Sequence, residues 1–490
     1  MKTLGMVVPL VFYLALVFGI AFWGNRSARR ASGVRGFIEE YFIGSRSMGG
    51  FVLAMAVVAT YTSASSFVGG PGVAYKLGLS WILLAMVQVP TVFLTLGILG
   101  KKFAIVARKV GAVTITDFLR ARYRSDLVVV ASSLAILLFF MASMLAQFIG
   151  GARLFQTVTG FPYAAGLVIF GITVVIYTTV GGFRAVVLTD AVQGVMMIIA
   201  SVAILVSVVN AGGGMERIME GLRAIDPALL SPYGPKAAVP KPFILSFWVL
   251  VGIGVLGLPQ TTQKCLGYRD SRAMHNGMII GTFAVGFLML TMHLVGALGR
   301  AVVPGIEVGD LAVPTITVRL MSPFWAGVFI AGPLAAIMST VDSMLIISSA
   351  SIVKDLYYHY VAKESPSVAP EKLGRMSLVA TGVVGVLVFL AALRPPSLLV
   401  WINLFAFGGL EAVFFWPTVL GLYWRRANAA GALLSMAAGC GTFFWLSMTK
   451  VQPWGTHQIL LSLLFALAAF ILGSLLGKRP DGETLRAFWD

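Results

Sequence analysis

Residues 53–79 read LAMAVVATYTSASSFVGGPGVAYKLGL. The run starts as an apolar helix, turns to the hydroxyls of Thr60, Thr62, Ser63, Ser65 and Ser66, and then meets Gly69, Gly70, Pro71 and Gly72. That sequence predicts a helix interrupted inside hydrocarbon, because glycine and proline weaken the helix where a lipid-facing span would continue. An interruption exposes backbone amides and carbonyls, which only protein or a cavity can accept at that depth. The alternative is a membrane helix with a small-residue packing face and a flexible end. The cavity reading makes the stretch the centre of a solute pathway.

Composition supplies the setting. Of 490 residues, 58% are hydrophobic and 11% charged, so apolar stretches long enough to cross a bilayer dominate an all-α integral membrane protein. The formal charge of +17 does not point to nucleic acid, because the basic residues are spread over short loops rather than gathered on one face or tail. Cys265 and Cys440 are far apart and give neither a disulfide framework nor metal-ligand spacing.

Working outward, the apolar runs resolve into about thirteen spans, near 6–23, 48–72, 79–100, 127–150, 162–180, 185–208, 244–266, 275–299, 323–353, 376–393, 398–421, 429–448 and 457–476. The first is not a signal peptide: only Lys2 precedes it, Arg26, Arg29, Arg30, Arg35 and Arg46 follow, and no small-residue cleavage site ends it. With the N-terminus outside, 25 of the 36 Lys and Arg fall in inside loops, as the positive-inside rule requires, and the C-terminus is cytoplasmic. The short tail after the last span leaves no room for an appended soluble domain.

A second interruption lies in the seventh span, FWVLVGIGVLGLPQTTQKCLGYRD, where Gly252, Gly254, Gly257 and Pro259 crowd the middle. The second and seventh spans cross in opposite directions, and paired interruptions of that kind point to an inverted-repeat transporter with a midplane site. The ninth span, PFWAGVFIAGPLAAIMSTVDSMLIISSASIVKD, places Ala336, Ser339 and Thr340 on one helix face. Two hydroxyls, the Ala336 carbonyl and carbonyls freed in the second span make an oxygen set suited to a small hard cation. Hydroxyls also bond back to their own helix or join neighbouring helices. Asp342 and Glu411 are acids within spans, each either functional or neutralised between helices. His275, His293, His359 and His457 are scattered and receive no chemistry.

The runs EYFIGSRSMGGFVLAMAVVATYTSASSFVGGPGVAYKLGLSWILLAM, QFIGGARL, YTTVGGFRAVVLTDAVQG, AAIMSTVDS and WINLFAFGGLEAVFFWP, followed by GLYWRRANAAGAL, resemble the sodium:solute symporter family over about residues 37–435. Gly181, Gly182, Phe183 and Ala185 match a family signature. The resemblance implies a leucine-transporter-like fold in a single domain, 1–490. In it, residues 1–47 are an extra N-terminal helix and loop, 48–208 and 244–424 are two inverted five-helix repeats, and 425–490 are two final helices and a tail. It implies a sodium site on the backbone of Ala59 and Thr62 and on Ala336, Ser339 and Thr340, with Asp190 on the ion's cytoplasmic route. Ser63, Ser65, Ser66, Gln147, Gly254, Gln260 and Asn403 are the implied solute contacts. Arg153 either assists them or snorkels at the outer interface. Other branches of the family carry a polar or acidic side chain where this chain has Tyr61.

Within the family the chain is most similar to carriers of pantothenate. The implied activity is sodium-coupled import of that anion across the cytoplasmic membrane by alternating access, with sodium, the solute and the lipid bilayer as partners and no nucleic acid. Half-helix N-termini are expected to meet its carboxylate. Another carboxylate or an amino acid is the alternative solute. A solute-gated channel and a transporter-like sensor are alternatives of a different class, although a sensor needs an output domain. An enzyme would need clustered nucleophile, acid and base, which the sequence lacks.

Overall fold

The computed structural model describes residues 2–28, 43, 46–365, 368–395 and 398–490, with the backbone alone described for residues 2, 24–28 and 180–185. The described residues form helices and no strand. Among the described residues ten helices are long and apolar enough to cross a membrane, two pairs bent at a break each make one more span, and the shorter apolar helix Tyr163–Thr179 brings the number to thirteen. Helical pairing runs from Tyr163 to Ala211 through the fifth and sixth spans, but not along one axis. Tyr177 and Thr189 share a hydroxyl–hydroxyl hydrogen bond, whereas twelve residues of straight helix would separate them by about 18 Å. The chain therefore turns back between them, over the stretch holding Gly181, Gly182, Phe183 and Ala185, whose side chains lie outside the described residues.

The second span is Gly50–Tyr61 followed by Ser65–Leu77, bent by 69°; the seventh is Lys241–Gly257 followed by Pro259–Leu266, bent by 45°. Their directions oppose each other. Met48, ahead of the second span, donates its amide to the Gly267 carbonyl at the end of the seventh, and Arg269 returns a bond to the Met48 carbonyl. The seventh span breaks at Leu258, immediately before Pro259, as its sequence predicts. The second breaks earlier than its glycines suggest. Thr62 is extended, whereas Gly69, Gly70, Pro71 and Gly72 lie inside the helix that follows. The turn ahead of Pro71 is widened, with the Gly70 amide reaching back to the Ser65 carbonyl, and a widened turn accommodates the proline ring.

Those glycines serve close packing instead of the break. A Cβ on Gly72 would fall 2.2 Å from the Gly309 carbonyl, and one on Gly296 of the eighth span 2.0 Å from the Pro71 carbonyl. Small residues let helix backbones approach at this distance, and the resulting van der Waals attraction holds helices together where lipid is as apolar as leucine.

The ninth span, Pro323–Val361, is buried along its whole apolar core, whereas the first, Thr3–Trp23, is one-third buried. The ninth thus forms the centre of the bundle and the first lies at its lipid rim. On the side of the loop between the third and fourth spans, the short helix Ile115–Tyr123 is fixed by a reciprocal cap between Thr114 and Asp117. Its buried Arg122 donates Nε to the Gly421 carbonyl at 2.6 Å. The same guanidinium lies 5.5 Å from the Phe488 ring and 5.1 Å from that of Trp489, both on the tail helix Gly482–Trp489.

Overpacking a closed helix crossing costs about 1–3 kcal/mol, so Gly72→Ala and Gly296→Ala should each lower the melting temperature of the purified protein. Gly441→Ala is the control, because nothing lies within 4 Å of the position its Cβ would take. It should be neutral or stabilising, since alanine favours the helix by about 1 kcal/mol. Equal melting for all three variants would contradict the close crossings.

Candidate functional site

Where the first half of the second span ends at Tyr61, the carbonyls of its last turn lose the amides that a continuing helix would bring. The ninth span supplies hydroxyls in their place. Ser339 Oγ lies 2.8 Å from the Ala59 carbonyl and 3.1 Å from that of Ala336. Thr340 Oγ1 lies 2.9 Å from the Thr62 carbonyl and 2.9 Å from that of Ala336. Five oxygens, from Ala59, Thr62, Ala336, Ser339 and Thr340, are thereby gathered in one buried cluster. Thr62 contributes its main chain only, because its hydroxyl donates back to the Val58 carbonyl at 2.7 Å. A set of neutral oxygens with no sulfur or nitrogen suits sodium.

Beside this cluster the break opens on a cleft walled by the second, third, seventh, eighth and eleventh spans. Of the residues nominated from sequence, Ser63, Ser65, Ser66 and Asn403 line it. Gln147 lies behind the wall. Its Oε1 accepts the Ala64 amide at 2.7 Å, capping the restarted helix, and its Nε2 reaches Asn403 Oδ1 at 3.5 Å. Asn403 Oδ1 also accepts from Ser143 Oγ at 2.6 Å, which leaves the Asn403 amide hydrogens as the donors it offers. Ser63 Oγ accepts the Ser65 amide at 3.2 Å, so that end of the helix is already partnered. Ser65 Oγ is a buried hydroxyl with no partner among the described residues. Gly254 and Gln260 are buried but stand off the cleft wall. Arg153 is elsewhere, bonded to Gln156 at 3.0 Å and lying over the Tyr163 ring at 4.8 Å.

Three polar cleft residues, Tyr61, Gln88 and His293, were not among the solute contacts that the sequence nominated. The Tyr61 hydroxyl shares its one hydrogen between Gln88 Oε1 and the Val251 carbonyl, both at 3.1 Å, and leaves the Gln88 amide hydrogens as donors. His293, from the eighth span, donates Nδ1–H to the Met289 carbonyl at 2.7 Å, which leaves Nε2 for the cleft. A Cβ on Gly70 would fall 2.4 Å from that Nε2, so glycine is what lets the imidazole approach the restarted helix. Trp81, Phe247, Val251 and Phe407 complete an apolar wall. Nothing in the spacing of a single histidine distinguishes this position from the other three.

Asp190 is buried and ion-paired with Lys264 at 2.9 Å, their side chains 0% and 1% exposed. Lys264 is one of the 25 basic residues that the sequence assigns to the inside, at the end of the seventh span. The structure instead carries it into the bundle on Pro259–Leu266, because that half-helix packs against the first half of the second span. Close by, Asp342 accepts a hydrogen bond from Thr178 of the fifth span. Glu411 is buried on the eleventh span, Leu399–Tyr423, facing Gly254.

The chain is similar to known proteins over nearly its whole length. The chain is 53% identical over 482 residues to the sodium/pantothenate symporter of Escherichia coli (strain K12), covering 98% of this chain and 99% of that one. It is 50% identical to the sodium/pantothenate symporter of Haemophilus influenzae (strain ATCC 51907 / DSM 11121 / KW20 / Rd), with 98% of each covered. An outward-open, substrate-bound Na+-coupled sialic acid symporter superposes with a TM-score of 0.77 at 18% identity, over 97% of this chain and 99% of that one, which establishes the leucine-transporter-like fold with its two inverted five-helix repeats. The model of the sodium:solute symporter family matches residues 41–439. A match of that extent, on a fold whose two broken spans meet at an oxygen-lined centre, means that the chain belongs to the sodium:solute symporter family.

Proposed function

We propose that this protein imports pantothenate together with sodium by alternating access, working in the cytoplasmic membrane with its N-terminus outside and its C-terminus inside. The observation that carries the solute assignment is the 53% identity, over nearly the whole of both chains, to a sodium/pantothenate symporter. The repeats run over about 48–208 and 244–424, with 1–47 and 425–490 added at the two ends.

The cleft's chemistry supports an anion with polar and apolar parts. Pantothenate has a carboxylate, two hydroxyls and an amide around a branched apolar centre. Asn403, Gln88 and Ser65 offer neutral donors to the carboxylate, His293 Nε2 accepts from a hydroxyl, and the Trp81, Phe247, Val251 and Phe407 wall takes the methyl groups. Among the described residues no Lys or Arg lines the cleft. Release toward the cytoplasm therefore does not require breaking an ion pair with the solute.

Sodium is coordinated by the carbonyls of Ala59, Thr62 and Ala336 and the hydroxyls of Ser339 and Thr340. It stabilises the bend of the second span, and so the cleft whose wall that bend forms. When the ion leaves, the hydroxyls return to the carbonyls and the two spans are free to reorient. Asp190 lies on the ion's route, its charge balanced by Lys264. A potential of 100 mV, negative inside, opposes each negative charge by roughly 2.3 kcal/mol, which one sodium ion cancels.

Proteoliposomes with an inward sodium gradient should concentrate labelled pantothenate, with proline, sugars and short monocarboxylates competing poorly. Accumulation of a different solute while pantothenate is ignored overturns the assignment. Ser339→Ala and Thr340→Ala should raise the sodium concentration for half-maximal uptake, with Thr340→Ser near wild type. If the hydroxyls serve only to join helices, those variants lose on the order of 1 kcal/mol of stability with an unshifted sodium response. Asp190→Asn removes the carboxylate charge that the buried Lys264 ammonium pairs with and should lower the stability of the protein. Adding Lys264→Gln should recover folding, and slower sodium-dependent turnover in that double variant is the expected sign of a role in the ion path. Wild-type turnover and sodium dependence there would remove Asp190 from it.

A further inference from the structure

Glu411 lies one helical turn beyond Phe407 on the eleventh span, and Gly254 lies three residues beyond Val251 on the seventh. The two helix faces that wall the cleft thus run on and meet at these residues. They meet closely. A Cβ on Gly254 would fall 2.4 Å from Glu411 Oε2 and 2.6 Å from the Val249 carbonyl, so any larger residue would fill the space that the carboxylate faces. Glu411 is fully buried, and among the described residues neither of its oxygens has a hydrogen-bond partner.

Among the described residues no Lys, Arg or His pairs with Glu411. The titratable group facing it is Tyr61 of the second span, whose hydroxyl is committed to Gln88 and the Val251 carbonyl. From the seventh span it meets the main chain around Gly254 and Gly257. That segment changes from widened to tightened helical pairing between Trp248 and Gly257, a transition that leaves carbonyls of the intervening turn without amides. An isolated carboxylate in the membrane interior is retained at a cost that structural packing does not explain, and a positive charge relieves it.

We propose that Glu411 holds a second monovalent cation that travels with the solute, bound between its carboxylate and the main chain of the seventh-span break. The cation is a sodium ion or a proton, either of which neutralises a single carboxylate. The site is separate from the Ser339 and Thr340 cluster, sharing none of its oxygens. It rests on the symport reading, and it gives the carrier what one sodium ion cannot: a net positive charge moving inward with a monoanion.

The test uses the full-length purified protein in proteoliposomes and compares wild type with Glu411→Gln and Glu411→Asp. Charge moved per solute is read with the membrane potential clamped, for whichever solute is concentrated. Glu411→Gln should move one positive charge fewer per solute and lose its acceleration by a negative interior. Glu411→Asp, which keeps the charge on a shorter arm, should retain the stoichiometry with a weaker response, and it serves as the variant to follow should the glutamine form fail to fold. Sodium titration of melting without solute separates the two ions. For sodium, Glu411→Gln loses the cooperative part of the titration; for a proton, the sodium titration is unchanged and an inward pH gradient drives wild type but not the variant. Wild-type charge per solute in Glu411→Gln, or electroneutral transport by the wild type, overturns the proposal. Transport of a solute other than pantothenate would leave this comparison intact and strike only the solute assignment.

Discussion

Backbone hydrogen bonds that cannot be made inside a membrane govern this structure. A helix that stops at Tyr61 and restarts at Ser65 leaves amides and carbonyls in a region without bulk water, and each must find a partner. The partners come from other spans: Gln147 for the Ala64 amide, Ser339 for the Ala59 carbonyl, Thr340 for the Thr62 carbonyl. The same groups that satisfy the break therefore compose the oxygen cluster and close the back of the cleft. A cation at the proposed site would displace hydroxyl hydrogens from carbonyls that the fold has already brought together, so its binding would reuse an existing structural arrangement.

Much of this was legible in the sequence because it is written in composition and periodicity. Thirteen spans follow from length and hydropathy, and the opposed directions of the second and seventh follow from counting the spans between them. Ala336, Ser339 and Thr340 share a face by helical spacing alone. The position of the second break was less legible. Gly69, Gly70, Pro71 and Gly72 carry the residue types of an interruption, yet they are used for backbone contacts with Gly309 and the eighth span. The actual break falls on Thr62 and Ser63, whose hydroxyls compete with helical bonding more quietly than proline does.

What could not be read was long-range pairing of polar side chains. Lys264 is one of three basic residues near the end of an apolar run, and its burial against Asp190 depends on how a half-helix tilts after Pro259. His293 enters the cleft because Gly70 lacks a side chain more than two hundred positions earlier. Arg153 shows the converse, since a cation near an expected anion site is spent on Gln156 and the Tyr163 ring. Each outcome depends on helix rotation, which no local pattern encodes.

The stacking of Phe488 and Trp489 against Arg122 has a consequence for biogenesis. Arg122 belongs to the helix between the third and fourth spans, and its aromatic cover comes from a helix made after the thirteenth. During synthesis that guanidinium waits while ten further spans are threaded, held meanwhile only once Gly421 and Trp424 have arrived. The face that carries it is therefore among the last parts of the molecule to mature, and a nascent chain stalled within its final helix would present a bundle threaded through the bilayer but not yet fastened at that end.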